Sequence, residues 1–285
     1  MKKFLPFLFS LALFFSQVTF AAKPHHLWEY KKSHFNMYSL SDDLEIGKTV
    51  QKQQMDAFQK KQVAIDPPKY AATKKRIEAI VSRLARVSDL PRLPYEVHIY
   101  DEPNVVNAYC MPGGKIGIFT GLFDVKKGLV NEKSDDEIAA VLGHEMAHAT
   151  MRHVTRTMTT YSGLGVIGNL LSIGVQRSAG ANWQSVFDQV FSTGASLSFP
   201  SYSRRYETEA DQVGFYYMTK AGFDPHAAVH IWQRAAAQKN KNDKTTFFSD
   251  HPGNRERAKR LESYLPDAES VKQQMKLVEA AKRDK

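Results

Sequence analysis

The sequence predicts a mostly helical α+β fold. Helical periodicity covers residues 41–87 and much of residues 134–237, and three short segments between residues 95 and 123 have the character of strands. No convincing linker divides the chain after its first residues, and 285 residues are enough to bury a sizeable core. We therefore predict helices packed around one small sheet.

The N-terminus differs from the rest of the chain. Lys2 and Lys3 precede an apolar run, and small residues follow at Thr19 and Ala21. This pattern predicts a secretory signal peptide over residues 1–22, with an uncleaved membrane anchor as the alternative. We expect residues 23–41 to form a polar, extended segment, residues 42–265 the main domain, and residues 266–285 a basic C-terminal helix or tail.

Charge and cysteine usage narrow the class of protein. The formal charge is +9, or +7 without Lys2 and Lys3, but the basic residues are scattered among acidic ones, without a zinc finger or an aromatic-basic motif. We therefore expect no nucleic-acid partner, and favour contact with an anionic membrane or envelope surface. The single cysteine, Cys110, excludes an intrachain disulfide and is expected to pack in a strand.

Two helices and three strands are predicted before the middle of the chain. Residues 41–62 form the first helix, with Asp42 and Glu45 as a capping box, and the Asp66–Pro68 stretch breaks it. The second helix has one apolar face, formed by Ile77, Ile80, Val81, Leu84 and Val87. Alternation and the turn at Pro112–Gly114 predict strands at 95–100, 107–111 and 115–123.

The second half is predicted to be helical. Ser134 and Glu137 form a capping box for a helix reaching to about residue 158. The Gly-rich residues 161–182 are predicted to be a mobile lid, a disordered loop or a surface that touches lipid. Further helices are expected at 183–193, from about 206 to a stop at Gly222, over 224–238 and after the loop at 247–257.

The stretch VLGHEMAHAT places three polar residues in an apolar helix. His144 and His148 are four residues apart and therefore share one face, where both imidazoles can reach a zinc ion. Glu145 follows the first histidine, so its carboxylate can approach a water activated by the metal without binding the metal. The pattern predicts a catalytic zinc centre, with a surface pair of histidines as the alternative.

A third ligand is expected from a later helix. Met151 and Val154 occupy the positions where a metzincin has Gly and His, which excludes that class, and His153 is expected to be a non-ligand on another face. The YETEAD stretch offers Glu207, Glu209 and Asp211. Glu207 and Asp211 share a face, so the economical assignment makes Glu207 the ligand and Asp211 the acceptor for a ligand histidine's free N–H.

Three stretches of the sequence carry a family resemblance: HEMAH, YSRRYETEAD and NAYCMPGGKIGIFTGLF. Together they resemble the HtpX/CAAX-prenyl-protease-like gluzincin metallopeptidases, in particular their BepA-like periplasmic members. The resemblance covers residues 44–257 and implies a gluzincin fold with a small sheet beside the HExxH helix. It implies one zinc ion bound by His144, His148 and Glu207, with Glu145 as base and Asp211 as the family's helix aspartate. Neither the spans of the HtpX-type enzymes nor the repeat domain that follows the protease in BepA is expected.

The resemblance also implies further site residues. Asn107 and the turn Pro112, Gly113 and Gly114 match a strand along which a substrate peptide adds by backbone pairing. His251 and Arg257 match a late His-Pro segment, with Arg255 as a competing candidate for the arginine. His251 is expected to stabilise the oxyanion or to occupy the open zinc position as a latch.

The predicted function is therefore that of an exported zinc endopeptidase, in the periplasm and in possible association with the outer membrane. On the resemblance, its substrates are misfolded or damaged envelope proteins. The alternative is a chaperone-like or scaffold protein with a latched cleft that rarely cuts. Retention of Glu145 favours the enzyme, because a scaffold has no need of a base.

Overall fold

The computed structural model describes residues 26–124, 128–169, 202–237 and 254–283. Within these residues the chain is mostly helical with one three-stranded sheet, which confirms the predicted α+β class. The elements in chain order are α1 (Leu40–Lys60), α2 (Ala71–Val87), β1 (Glu96–Tyr100), β2 (Ala108–Met111), β3 (Lys115–Phe119), α3 (Asp135–Thr150), α4 (His153–Asn169), α5 (Arg204–Lys220), α6 (His226–Ala237), α7 (Asn254–Ser263) and α8 (Leu265–Arg283).

The sheet has the strand order β1-β3-β2, with β1 parallel and β2 antiparallel to β3. The three predicted strands are present, but the third ends at Phe119, because Thr120–Phe123 forms a short 3-10 helix. The Pro112–Gly114 stretch between β2 and β3 forms a tight turn. Gly113 and Gly114 have φ angles of 71° and 80°, a left-handed conformation that glycine adopts without steric cost.

Helices cover both faces of the sheet. Alternate residues of β2 point to opposite sides, so that Ala108 and Cys110 join a core shared with α2, α3, α5 and α6. Tyr109 and Met111 join a second cluster with α1 and the start of α4. Cys110 is buried in β2, as predicted. The sheet thus separates two apolar layers, and α3 lies directly beside β2.

The helix starts differ in part from the predictions. The capping box of α1 is formed by Ser39 and Asp42, not by Asp42 and Glu45, because the helix begins at Leu40. Ser134 caps α3 as predicted, through its hydroxyl and the N–H of Glu137. The Glu137 carboxylate instead accepts the N–H of Asn131 and pairs with Arg234.

The predicted helix through residue 158 is broken at one point. α3 ends at Thr150, and α4 begins at His153. Arg152 lies between them with φ 58°, a conformation that interrupts a right-handed helix. Its guanidinium forms an ion pair with Asp43 and donates to the carbonyl oxygens of Tyr38 and Ser39, which stabilises the break.

Residues 26–38, the N-terminal strap, contain no helix or strand and pack on the domain after a turn at residues 26–29. Leu27 is fully buried, and its N–H donates to Asp267 on α8. The Tyr30 hydroxyl donates to Asp89, and the Gln212 side chain of α5 donates to three strap carbonyls. The strap therefore crosses α5.

Several predicted features lie outside the described residues: the signal peptide, the helix at 183–193 and most of the Gly-rich segment. The first part of that segment, residues 161–169, continues α4 as a helix rather than a loop. Among the described helices, none has the length and apolar character to cross a membrane.

Candidate metal centre

Two glycines let helices α3 and α5 touch backbone to backbone. A methyl group added at Gly143 would lie 2.8 Å from the carbonyl oxygen of Gly214. One added at Gly214 would lie 2.6 Å from the carbonyl carbon of Gly143. Any larger residue would separate the helices, so the two glycines set the distance between the side chains that follow on each helix.

Three potential ligands converge where α3 faces α5. His144, His148 and Glu207 are all buried and offer ligand atoms within 4.8 Å of one another. The two Nε2 atoms are 3.1 Å apart, and the Glu207 oxygens lie 3.5 Å from His144 Nε2 and 3.4 Å from His148 Nε2. The structure therefore brings together the helix face that carries the two histidines and the helix face that carries Glu207, each of which was predicted from residue spacing.

These separations fit a metal ion. Two ligands bound at 2.0–2.1 Å to one tetrahedral zinc ion lie about 3.3 Å apart. The three observed separations fall close to that value, and two imidazoles with one carboxylate are ligands that transition metals accept. The group can therefore hold a divalent cation with little movement.

Asp211 lies behind the first histidine, as predicted. Its Oδ1 is 3.1 Å from His144 Nδ1, the ring nitrogen opposite the one facing Glu207. Burial alone would raise the pKa of Asp211, but the Arg257 guanidinium and His144 keep it well below its ordinary value. Burial and Arg257 lower the pKa of His144, whereas hydrogen bonds to Asp211 and Glu207 raise it to about 9. The carboxylate is therefore within hydrogen-bonding distance of the ring nitrogen of His144 that faces away from Glu207.

Arg257, on α7, closes the far side of the site. It is 1% exposed, its Nη1 lies 2.9 Å from Glu207 Oε2, and its Nη2 lies 2.5 Å from Asp211 Oδ1. Its guanidinium stacks on Trp232 at 3.5 Å from the ring centroid. Arg257 thus contacts the potential ligand and the supporting carboxylate, whereas His251 and the side chain of Arg255 lie outside the described residues.

Glu145 is buried on α3. Burial and then the Glu145 carboxylate raise the pKa of the Cys110 thiol on β2 well above its ordinary value. The predicted base therefore lies near enough to the edge strand β2 for its charge to act on Cys110, which stays a neutral thiol, unsuited to nucleophilic attack.

The other predicted residues lie around β2. Asn107 is 4% exposed, and its Oδ1 accepts the N–H of Ala108. The Pro112–Gly114 turn packs on α1, where a methyl group at Gly113 would lie 3.1 Å from the carbonyl oxygen of Asp43. The substrate contacts predicted for these residues stay predictions.

Two residues near the site were given no role from the sequence. His153 is not among the three ligands, but its Nδ1 is 2.8 Å from His148 Nδ1. Glu209, assigned to a different face from Glu207, contacts His153. The i+5 spacing of His153 gave no signal, because the helix break at Arg152 redirects the chain.

An HExxH helix, a glutamate from a second helix and a small sheet beside them define a gluzincin-type metallopeptidase. Residues 71–265 match the model of peptidase family M48. The chain therefore belongs to peptidase family M48, which confirms the resemblance seen in the sequence.

Similar proteins carry peptidase names. The chain is 30% identical over 236 residues to the mitochondrial metalloendopeptidase OMA1 of Schizosaccharomyces pombe, covering 82% of this chain and 64% of that protein. It is 27% identical over 239 residues to the metalloprotease LoiP of Escherichia coli, covering 84% of this chain and 86% of that protein. It is 28% identical over 169 residues to the beta-barrel assembly-enhancing protease of Yersinia pestis, covering 57% of this chain and 32% of that protein. The matches to OMA1 from plant and yeasts span 33% to 64% of those proteins.

Proposed function

We propose that the protein is a zinc-dependent endopeptidase. The convergence of His144, His148 and Glu207 carries the proposal, because buried imidazoles and a carboxylate at these separations match a catalytic zinc site with an open fourth position. When bound, zinc supplies Lewis acidity, which polarises a carbonyl and makes water a nucleophile near neutral pH.

Glu145 is proposed as the general base and acid. Its carboxylate, adjacent in sequence to a proposed ligand histidine, would take a proton from the attacking water. It would then deliver that proton to the nitrogen of the broken peptide bond. It is buried on the same helix as the two histidines, and its charge acts on Cys110 of β2.

The edge strand β2 is proposed as the substrate platform. β2 pairs with β3 on one side only in the described sheet, and it lies beside α3. An extended peptide added along its other edge would gain backbone hydrogen bonds independent of sequence. Asn107 and the Pro112, Gly113 and Gly114 turn, at the two ends of β2, would then fix its backbone.

Arg257 and Asp211 are proposed to support the site from behind. Asp211 orients His144, and Arg257 neutralises part of the negative charge of Glu207 and Asp211. His251 keeps its predicted role as oxyanion donor or latch.

Misfolded exported proteins are the proposed substrates, and the periplasm the proposed location. The N-terminal signal pattern supports export, and a relative named for enhancing β-barrel assembly supports a role among envelope proteins. Strand addition to β2 suits this role, because unfolded chains expose extended backbone and folded ones do not.

The test measures metal content and casein cleavage in the mature protein and in Glu145→Gln. We expect one zinc ion per chain in both proteins, cleavage by the parent that a chelator stops and zinc restores, and cleavage reduced about 10²–10⁴-fold in the variant. Unchanged cleavage in Glu145→Gln would remove the base from the mechanism. A parent that binds zinc but never cleaves would favour the chaperone-like alternative.

A further inference from the structure

A line of hydrogen-bonded side chains runs away from the second ligand histidine. His148 Nδ1 lies 2.8 Å from His153 Nδ1, and His153 Nε2 lies 2.9 Å from Glu209 Oε2. His153 is completely buried. The line therefore joins a metal ligand on α3 to the first turn of α4 and then to α5.

One arrangement of protons satisfies the whole line. Nε2 of His148 faces Glu207 and His144, so a metal held there leaves the ring proton on Nδ1. That N–H donates to Nδ1 of His153, which must then carry its own proton on Nε2 and donate it to Glu209. Each ring thus acts as an acceptor at one nitrogen and a donor at the other.

Glu209 is itself fixed by two further groups. Arg156 Nη1 donates to its Oε2 at 2.7 Å, and His34 Nε2, from the N-terminal strap, lies 2.7 Å from its Oε1. The line therefore ends on a carboxylate held between an arginine and a second histidine.

Aromatic rings fix the planes of the two imidazoles. Tyr202 stacks on His148 with 3.9 Å between ring centroids, and Tyr206 stacks on His153 with 4.4 Å. Both rings are therefore restrained in rotation as well as hydrogen bonded. Such rigid positioning is expected of groups that orient a metal ligand.

We propose that His153 and Glu209 are positioning residues for His148. They do for the second ligand what Asp211 does for His144: they fix the tautomer that presents Nε2 to the metal and prevent rotation of the ring. The inference rests on the proposed zinc site and extends it, because it gives each ligand histidine its own carboxylate, direct for one and through a second imidazole for the other.

The test is zinc affinity, measured by competition with a chromogenic chelator. His153→Phe keeps an aromatic ring but has no hydrogen-bonding atoms. We expect 10–100-fold weaker zinc binding, the range typical when a metal ligand loses the residue that hydrogen-bonds to it. His153→Gln can still accept from His148 and donate to Glu209, so it should recover most of that loss. Glu209→Gln removes the charge at the end of the line and should weaken binding about 10-fold.

Val154→Ala is the matched control. Val154 is buried beside His153 on α4 but belongs to the apolar cluster on the other side, so its truncation destabilises the same turn without touching the line. Visible spectra of the cobalt-substituted proteins give a second readout. The spectrum should change in His153→Phe and Glu209→Gln, and stay like the parent's in Val154→Ala.

The outcomes separate this inference from the proposed function. A parent protein that binds no zinc would overturn both. If the parent binds zinc and both His153→Phe and Glu209→Gln keep its zinc affinity and cobalt spectrum, the positioning role alone is overturned. Should His153→Phe not fold, Glu209→Gln decides the matter, because parent-like affinity and spectrum in that variant would also overturn it.

Discussion

The close contact between α3 and α5 gives the sharpest test of how the fold builds the metal centre. In Gly214→Ala, the new methyl group would meet the backbone of Gly143 and His144 at 2.6 Å. Carbon atoms in favourable contact are roughly 3.5 Å apart, so the helices must separate by about 0.9 Å or distort. Glu207 would then move away from the two histidines that it faces.

The size of the effect follows from the tolerance of metal sites. Ligand distances in real sites stay within about 0.2 Å of their ideal values, several times less than the separation that the methyl group requires. Loss of one good ligand contact should therefore weaken zinc binding at least about 100-fold, equivalent to about 2.7 kcal/mol. Overpacking should also lower the free energy of unfolding by about 1–3 kcal/mol, less the gain of about 1 kcal/mol for Ala over Gly in a helix.

Gly47→Ala provides the matched control. The same chemical change at Gly47 overpacks α1 against the carbonyl oxygen of Pro112, away from the α3–α5 contact. It should lower the melting temperature with little effect on zinc affinity measured by chelator competition. The reasoning fails if folded Gly214→Ala binds zinc as tightly as the parent, because the helix spacing would then not set the ligand geometry.

Two further predictions concern charges around the site helices. Burial raises the pKa of Glu137, but Arg234 and the N–H of Asn131 lower it overall. The ionised Glu137 therefore stabilises the folded protein fully above its ordinary pKa of 4.5, and this stabilisation is lost as the pH falls through the lowered pKa. Because Arg234 is 45% exposed, Glu137→Gln should cost about 1 kcal/mol of unfolding free energy at pH 7. In denaturant titrations this difference should shrink below pH 4.5, and a difference that stays constant to pH 3 would contradict it. Arg257→Met should lower the free energy of unfolding by about 3–5 kcal/mol, because buried Glu207 loses its arginine and buried Asp211 keeps only the partly exposed Arg260. Added zinc should raise the melting temperature of that variant more than the parent's, and an equal shift would count against this account.

The ligand set could be predicted because it depends on spacing within single helices. His144 and His148 are one turn apart on α3, and Glu207 and Asp211 are one turn apart on α5, so each pair shares a face whatever the rest of the fold does. The observed contacts of Asp211 with His144 and of Glu207 with both histidines follow from these faces. A single additional fact, that the two helices pack together, completes the site.

The role of His153 could not be predicted, because it depends on a break without a local signal. The stretch from Thr150 to Val154 contains neither glycine nor proline, and helical periodicity continues through it. The left-handed conformation of Arg152 is stabilised by Asp43 and by carbonyls next to α1, more than 100 residues away in sequence. Only the tertiary structure shows that the chain turns there and places His153 against His148.

The charges of the site favour a divalent cation. Glu145, Glu207 and Asp211 contribute three buried carboxyl groups, and Arg257 is the buried cation that contacts two of them. When all four are ionised and both histidines are neutral, as metal binding requires, negative charges exceed positive ones by two, which is costly away from water. Arg260 also reaches Asp211, but it is 25% exposed and its charge is partly screened. A doubly charged ion between His144, His148 and Glu207 would remove this excess. Glu209 adds no charge to the balance, because it is paired with Arg156. The carboxylates proposed to orient the histidines would therefore also favour a metal ion over an apolar or anionic occupant.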